Sequence, residues 1–274
     1  MRIGTIILIN FFWLSATNAQ TKKILDLSDS DVKLKDKDLI LSNLIVKAPN
    51  DSILFSSEYG TKKYDIIKYK SNSSWDFYSQ ISSIREGDSI ELKLNATSFY
   101  QNMFGADLPL FLNYDDSVLV NMRILKIYPV DYREFALNKL TDEMEMEELR
   151  QFSLFVKEED DYKPVAGGVF VKTISKGDYQ LSFGKLFEMR YGVYFLDGTL
   201  VFENHTKESA DTYVYGQKGM FIRGLENALK NCSYDDELEV LIHSSEAFGE
   251  TGSLNGAVPP YTSLIFKLKI LSAN

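Results

Sequence analysis

Cysteine and histidine, the side chains most often used to activate a nucleophile or to hold a transition metal, are scarce in this chain. It has one cysteine, Cys232, and two histidines, His205 and His243. A nucleophilic triad needs a base held beside its Ser or Cys, and a His/Cys metal centre needs three or four such ligands. Neither can be assembled here in the usual pattern, so no metal and no cofactor is expected. A lone cysteine also excludes an internal disulfide, and Cys232 reads as small core filler. Aromatic surface is what the chain has in quantity, with 18 Phe and 16 Tyr among 274 residues.

The elements that position those aromatics can be read from Tyr213 to Phe266. Tyr213 and Tyr215 alternate as in a strand that ends at Gly216. Phe221, Leu225, Ala228 and Leu229 then recur at helical spacing and predict a short amphipathic helix. Alternation returns over Glu237–Ile242. Val258-Pro259-Pro260 cannot sit in a central strand and marks a rigid loop before a last strand, Ser263 to Leu271. The order predicts a small sheet wrapped on one helix.

That order resembles the FKBP-type peptidyl-prolyl isomerases. The family's Val-Ile-x-Gly-Trp, Ala-Tyr-Gly, Ile-Pro-Pro and closing strand correspond to Phe221-Ile222-Arg223-Gly224-Leu225, Ala247-Phe248-Gly249, Val258-Pro259-Pro260 and Leu264 to Leu268. Upstream, Tyr191, Asp197-Gly198 and Phe202-Glu203 echo its Tyr-x-Gly, Asp-Gly and Phe-Asp. The resemblance covers residues 165–274. It implies a proline pocket walled by Tyr191, Phe202 and Phe266, with Leu225 at the floor position, and Phe221, Phe248 and Val258 around it. It also implies that Glu203 stands for the family's Asp and that the Ile222 N–H holds a substrate carbonyl. Leu225 replaces a Trp, Phe248 a Tyr and Glu203 an Asp. One extra residue separates Gly198 from Phe202, and another separates Gly216 from Ile222.

Rotation about an X–Pro bond needs no nucleophile, metal or cofactor, only a site that favours the twisted amide over both planar forms. The poverty in Cys and His fits this chemistry. It fits a plain binding module equally, so the alternative is a weak or inactive FKBP-like chaperone or scaffold holding client polypeptides.

The rest of the chain sets the context. Net charge of −9 argues against nucleic-acid binding, which needs basic surface. Met1 to Ala19 has the layout of a secretory signal peptide: Arg2, an apolar run Ile3–Leu14, and a small-residue exit. No other apolar run approaches membrane length, so a protein exported to the periplasm or medium, and not integral to the membrane, is expected. Ile24 to Leu44 reads as charged and irregular.

An internal repeat follows. Asn50–Phe55 parallels Asp197–Phe202, Trp75–Ile84 parallels the helix after Arg223, Gly87–Leu92 parallels Asp235–Val240, and Val118–Leu125 parallels Leu264–Leu271. The separation stays near 147 residues. A first copy at 45–128, degenerate in the motifs above, is therefore expected before a second at 165–274. Residues 129–164 join them, with one or two helices between Glu134 and Lys157 and a solvated acidic run at Glu158–Asp161. The expected fold is α+β, two curled antiparallel sheets each on a short helix. Asn72, Asn95, Asn204 and Asn231 begin Asn-x-Ser/Thr triplets, which matter only if the host glycosylates exported proteins.

Overall fold

Alternating burial along Leu39–Lys47, Ser89–Asn95 and Ser117–Tyr128 marks strands with one face in a core. The computed structural model describes residues 21–204 and 210–272, so the expected leader at 1–19 and His205 lie outside the described residues. The first domain comprises β1 (Lys22–Asp26), β2 (Leu39–Lys47), β3 (Ile53–Ser56), β4 (Asp65–Lys68), α1 (Asp76–Ile81), β5 (Ser89–Asn95), α2 (Ala96–Met103) and β6 (Ser117–Tyr128). The helix α3 (Arg133–Glu158) follows. The second domain has β7 (Lys163–Ala166), β8 (Val169–Ser175), β9 (Leu186–Phe195), β10 (Leu200–Glu203), β11 (Asp211–Val214), α4 (Arg223–Ala228), β12 (Glu237–Ile242) and β13 (Leu264–Ser272). The stretch read as irregular over 24–44 contains all but the first residues of β1 and most of β2. Its charged residues lie mainly between these two strands and mask the Leu39-Ile40-Leu41 entry into the sheet.

Both sheets are antiparallel and share one strand order. The first runs β1-β5-β6-β2-β3 with β4 also on β2; the second runs β8-β12-β13-β9-β10 with β11 also on β9, and β7 added outside β8. The repeat extends to hydrogen bonds. Asp88 accepts from the N–H groups of Ser28 and Arg85, and Asp236 accepts from those of Gly177 and Ser233, all at 2.8 Å. Each aspartate's carbonyl then accepts from the next sheet strand, at Ile124 and Ile270. Residues Gly87 and Asp235, just before, both take positive φ, 94° and 65°.

A single helix bridges the domains. α3 carries no Gly or Pro in 26 residues, and at 1.5 Å per residue it is about 39 Å long. Its buried residues, Ala136, Leu140, Met144, Glu148 and Phe152, fall every fourth position. Ala136 and Leu140 pack with Leu39 on the back of the first sheet. Phe152 packs with Tyr162, Leu241 and Ile265 on the back of the second. Glu148, 1% exposed, lies between these contacts. It accepts from the Ser244 N–H at 2.9 Å and from the Ser244 and Ser263 hydroxyls at 2.6 Å each. In the acidic run, Glu159 and Asp161 reach Lys172 at 3.8 and 3.5 Å.

Candidate active site

The concave face of the second sheet opens into a cleft of about 460 Å³, within the usual range for ligand sites. β9 contributes Tyr191 and Val193, β13 contributes Phe266, and Phe221, Ile222 and Leu225 come from the head of α4. Leu225, Val258 and Phe266 are buried at 2%, 3% and 5% exposure, the first two as an aliphatic floor and the third as a wall, with little freedom to move. Tyr191 stacks near Phe266, ring centroids 6.4 Å apart, and lies 5.7 Å from Phe202. Phe248 closes one side. Ile222 is the residue before α4, extended at φ −60° and ψ 150°, and its carbonyl accepts from the Leu225 and Glu226 N–H groups.

The roof is the loop between Gly249 and Thr262. Ser253 and Val258 pair backbone to backbone at 2.9 Å, and the Ser253 hydroxyl accepts from the Val258 N–H at 2.8 Å. Asn255 accepts from the Ser253 hydroxyl and the Ala257 N–H. Gly252, at φ +70°, would place any Cβ 2.4 Å from the Val258 carbonyl oxygen, so the turn that aims Val258 at the cleft depends on that glycine.

Tyr191, Phe202, Phe221, Ile222, Leu225, Phe248, Val258 and Phe266 thus share one cleft, and Glu203 does not line it. The carboxylate associated with the tyrosines is Asp211. Tyr213 shares hydrogen bonds with Tyr191 and Asp211; burial first, and then these two neighbours, push its hydroxyl pKa up. Asn204 is fully buried. It accepts from the Tyr191 N–H at 2.7 Å and donates to the Met189 carbonyl and to Asp211 at 3.1 and 3.0 Å. It therefore bonds the β9 backbone at Tyr191 and Met189, between the pairings of that edge with β10 and β11, and its side chain is committed to structure rather than to a sugar. Asn95 likewise caps α2 through Ser98.

The extra residue before Phe202 is a β-bulge. β10 shifts register between Leu200 and Phe202 against β9, which turns Val201 into the cleft beside Phe202 and leaves Phe202 45% exposed. Sequence reading missed Val201, Val193, Met220 and Ala257. The alternation of β9 offered a signal for Val193 on the Tyr191 face, and the one-residue insertion offered one for Val201. No local signal marked the five lining residues that come from the first domain: Ile53, Leu54, Tyr100, Pro109 and Phe111.

Residues 177–271 match the family model of the FKBP-type peptidyl-prolyl cis-trans isomerases. Among solved structures, the chain is similar to the three FKBP domains of wheat FKBP73, at 14% identity over 93% of this chain and 94% of that one, TM-score 0.36. A peptidyl-prolyl cis-trans isomerase from Pseudomonas syringae pv. tomato matches at 20% identity over 48% of this chain and 94% of its own, TM-score 0.42. The N-terminal domain of FKBP42 from Arabidopsis thaliana matches at 14% over 42% and 92%, TM-score 0.38. No curated protein matches the sequence. The second domain matches the isomerase family over residues 177–271, and the first repeats its strand order.

Proposed function

Starting from an FKBP-type isomerase domain at residues 177–271, we propose that this protein is exported and speeds X–Pro rotation in folding client polypeptides. The observation that carries the reading is the cleft lining: three aromatic walls, an aliphatic floor, and no charged side chain among the described residues. Amide resonance sets a barrier of about 18–20 kcal/mol to peptide rotation, and uncatalysed X–Pro exchange takes on the order of tens to hundreds of seconds. Twisting the amide withdraws charge from its oxygen. An apolar wall that replaces water then favours the twisted form over the planar ones. In this reading the proline ring rests on Leu225, with Tyr191, Phe202 and Phe266 about it, and the Ile222 N–H holds a substrate carbonyl. No covalent bond forms or breaks.

A second reading is favoured by two side chains. Leu225 gives a smaller floor than an indole, and Phe248 brings no hydroxyl to the cleft, a hydrogen bond typically worth about 0.5–1.5 kcal/mol. A cleft so altered would hold client segments as an FKBP-like chaperone or scaffold without turning them over. Exchange spectroscopy on a Leu-Pro peptide separates the two. Cis–trans exchange cross-peaks that grow with substoichiometric protein support the isomerase; line broadening by binding without faster exchange supports the scaffold. Export is supported by the layout of Met1–Ala19. The mature protein is expected to begin at Gln20 on N-terminal sequencing, and an intact Met1 on the exported form would refute cleavage there.

A further inference from the structure

The cleft has a second wall, and it belongs to the other domain. Ile53 and Leu54 at the start of β3, Tyr100 on α2, and Pro109 and Phe111 on the loop before β6 all line it. At the positions matching the second domain's pocket walls, the first domain packs its own rings together. Phe55 lies 5.8 Å from Phe104, Trp75 stacks on Phe77 at 4.6 Å, and Phe55 and Phe77 are buried. Phe55, Trp75 and Phe104 line a separate space of about 320 Å³ that the roof loop covers with Ser253, Gly256 and Pro259, and the first domain turns its neighbouring strand and loop toward the second domain's cleft.

The two walls are fixed to each other. Gly256, in the roof loop, would place a Cβ 2.3 Å from the Phe104 ring, so that ring lies directly on the roof. Tyr59 stacks on Phe195 at 5.3 Å, and the Thr61 hydroxyl donates to the Tyr261 carbonyl. Both lie in the segment after β3. The rim of the composite cleft is open and apolar: Ile53, Phe111 and Phe202 are 47%, 68% and 45% exposed, with Leu110 fully exposed beside them. A space of about 460 Å³ exceeds what one proline ring fills, and its lining has no charge with which to meet a charged neighbour of that proline.

We propose that the first domain forms the specificity wall of the second domain's site, so that the cleft takes extended, unfolded segments in which a bulky apolar residue flanks the proline. This rests on the isomerase reading only for turnover; the wall itself is a statement about binding. Ile53 and Phe111 act here as specificity-determining residues, since removing their side chains withdraws apolar contact from the flanking residue and leaves the proline floor intact.

The test uses the full chain and its Ile53→Ser/Phe111→Ser variant, both changes being at exposed positions. The probes are two series of proline tetrapeptides, one varying the residue before proline and one the residue after it, as Leu, Phe, Gly or Glu. The isomerisation rate constant and the affinity by fluorescence anisotropy are read separately. In one series the preference for Leu and Phe over Gly is expected to fall about tenfold in the variant, the scale of one lost apolar contact. An unchanged preference in both series overturns the wall. So does a uniform rise for every peptide, which would mean that the loop obstructs the cleft. If wild type binds these peptides without turning them over, the isomerase reading fails while the affinity ratio still judges the wall. If it neither binds nor turns them over, the wall fails too.

Discussion

Leu225 and Val258 sit in the floor because α4 and the Gly249–Thr262 loop leave them no other place, and both positions were legible from the motif spacing. Glu203 was not. A carboxylate next to Phe202 suits the family pattern, yet the bulge at Leu200–Phe202 changes which side chains enter the cleft, and Asp211 on β11 supplies the carboxylate beside Tyr191 and Tyr213. Burial has a measurable consequence at this scale. It pushes the Cys232 thiol from 9.0 up to about 12, and the Tyr64 and Tyr100 hydroxyls from 10.0 up to about 12. In the unfolded chain these groups ionise near their ordinary values, while in the folded chain they stay protonated until about pH 12. Above pH 9 the unfolded state therefore binds fewer protons than the folded one, and stability falls with rising pH. The melting temperature is expected to drop progressively between about pH 9 and pH 12, and a flat profile across that window would contradict the burial of these groups. The same burial makes Cys232 inert to thiol reagents in the folded protein at neutral pH.

At the scale of elements, α3 is the part whose sequence announced a helix but not its task. Leu140 and Met144 fall at helical spacing and are buried, and Glu148 continues their stripe as a carboxylate. Only the fold shows that this carboxylate is buried against Ser244 and Ser263, where it ties the helix to the ends of β12 and β13. Removing it leaves the Ser244 N–H and the buried Ser244 and Ser263 hydroxyls without their acceptor. Glu148→Ala is expected to cost about 2–4 kcal/mol of stability, read by denaturant unfolding. Exposed Glu145→Ala on the same helix is the control and should change little. Equal effects from the two would show that Glu148 is not the anchor. β1 and β2 went unread for a related reason: β1 is a largely exposed edge strand, and β2 opens on the unbroken apolar run Leu39-Ile40-Leu41 directly after a charged stretch.

Across the whole molecule, the repeat near 147 residues was visible in sequence and reappears as one strand order used twice, with Asp88 and Asp236 in the same role. What the sequence could not give was the placement of one copy against the other. Ile53 and Phe111 are separated by more than 130 residues from Phe248 and Val258, and the repeat matches equivalent positions of the two copies without saying which faces of them meet. The resulting protein is a continuous body. α3 lies behind both sheets, the first domain's Phe104 touches the roof of the second domain's cleft, and the apolar lining comes from both. Among the described residues no helix is long and apolar enough to cross a membrane. The measurement that tests the central claim most directly is refolding of a protein whose slow phase is limited by proline isomerisation, with full-length protein added in catalytic amounts. The slow phase is expected to accelerate in proportion to added protein, and the acceleration to vanish with Ile222→Glu, which puts a charge into the uncharged cleft. An unaltered slow phase with folded wild-type protein, or full acceleration by Ile222→Glu, would contradict the assignment of this cleft as the site of X–Pro rotation.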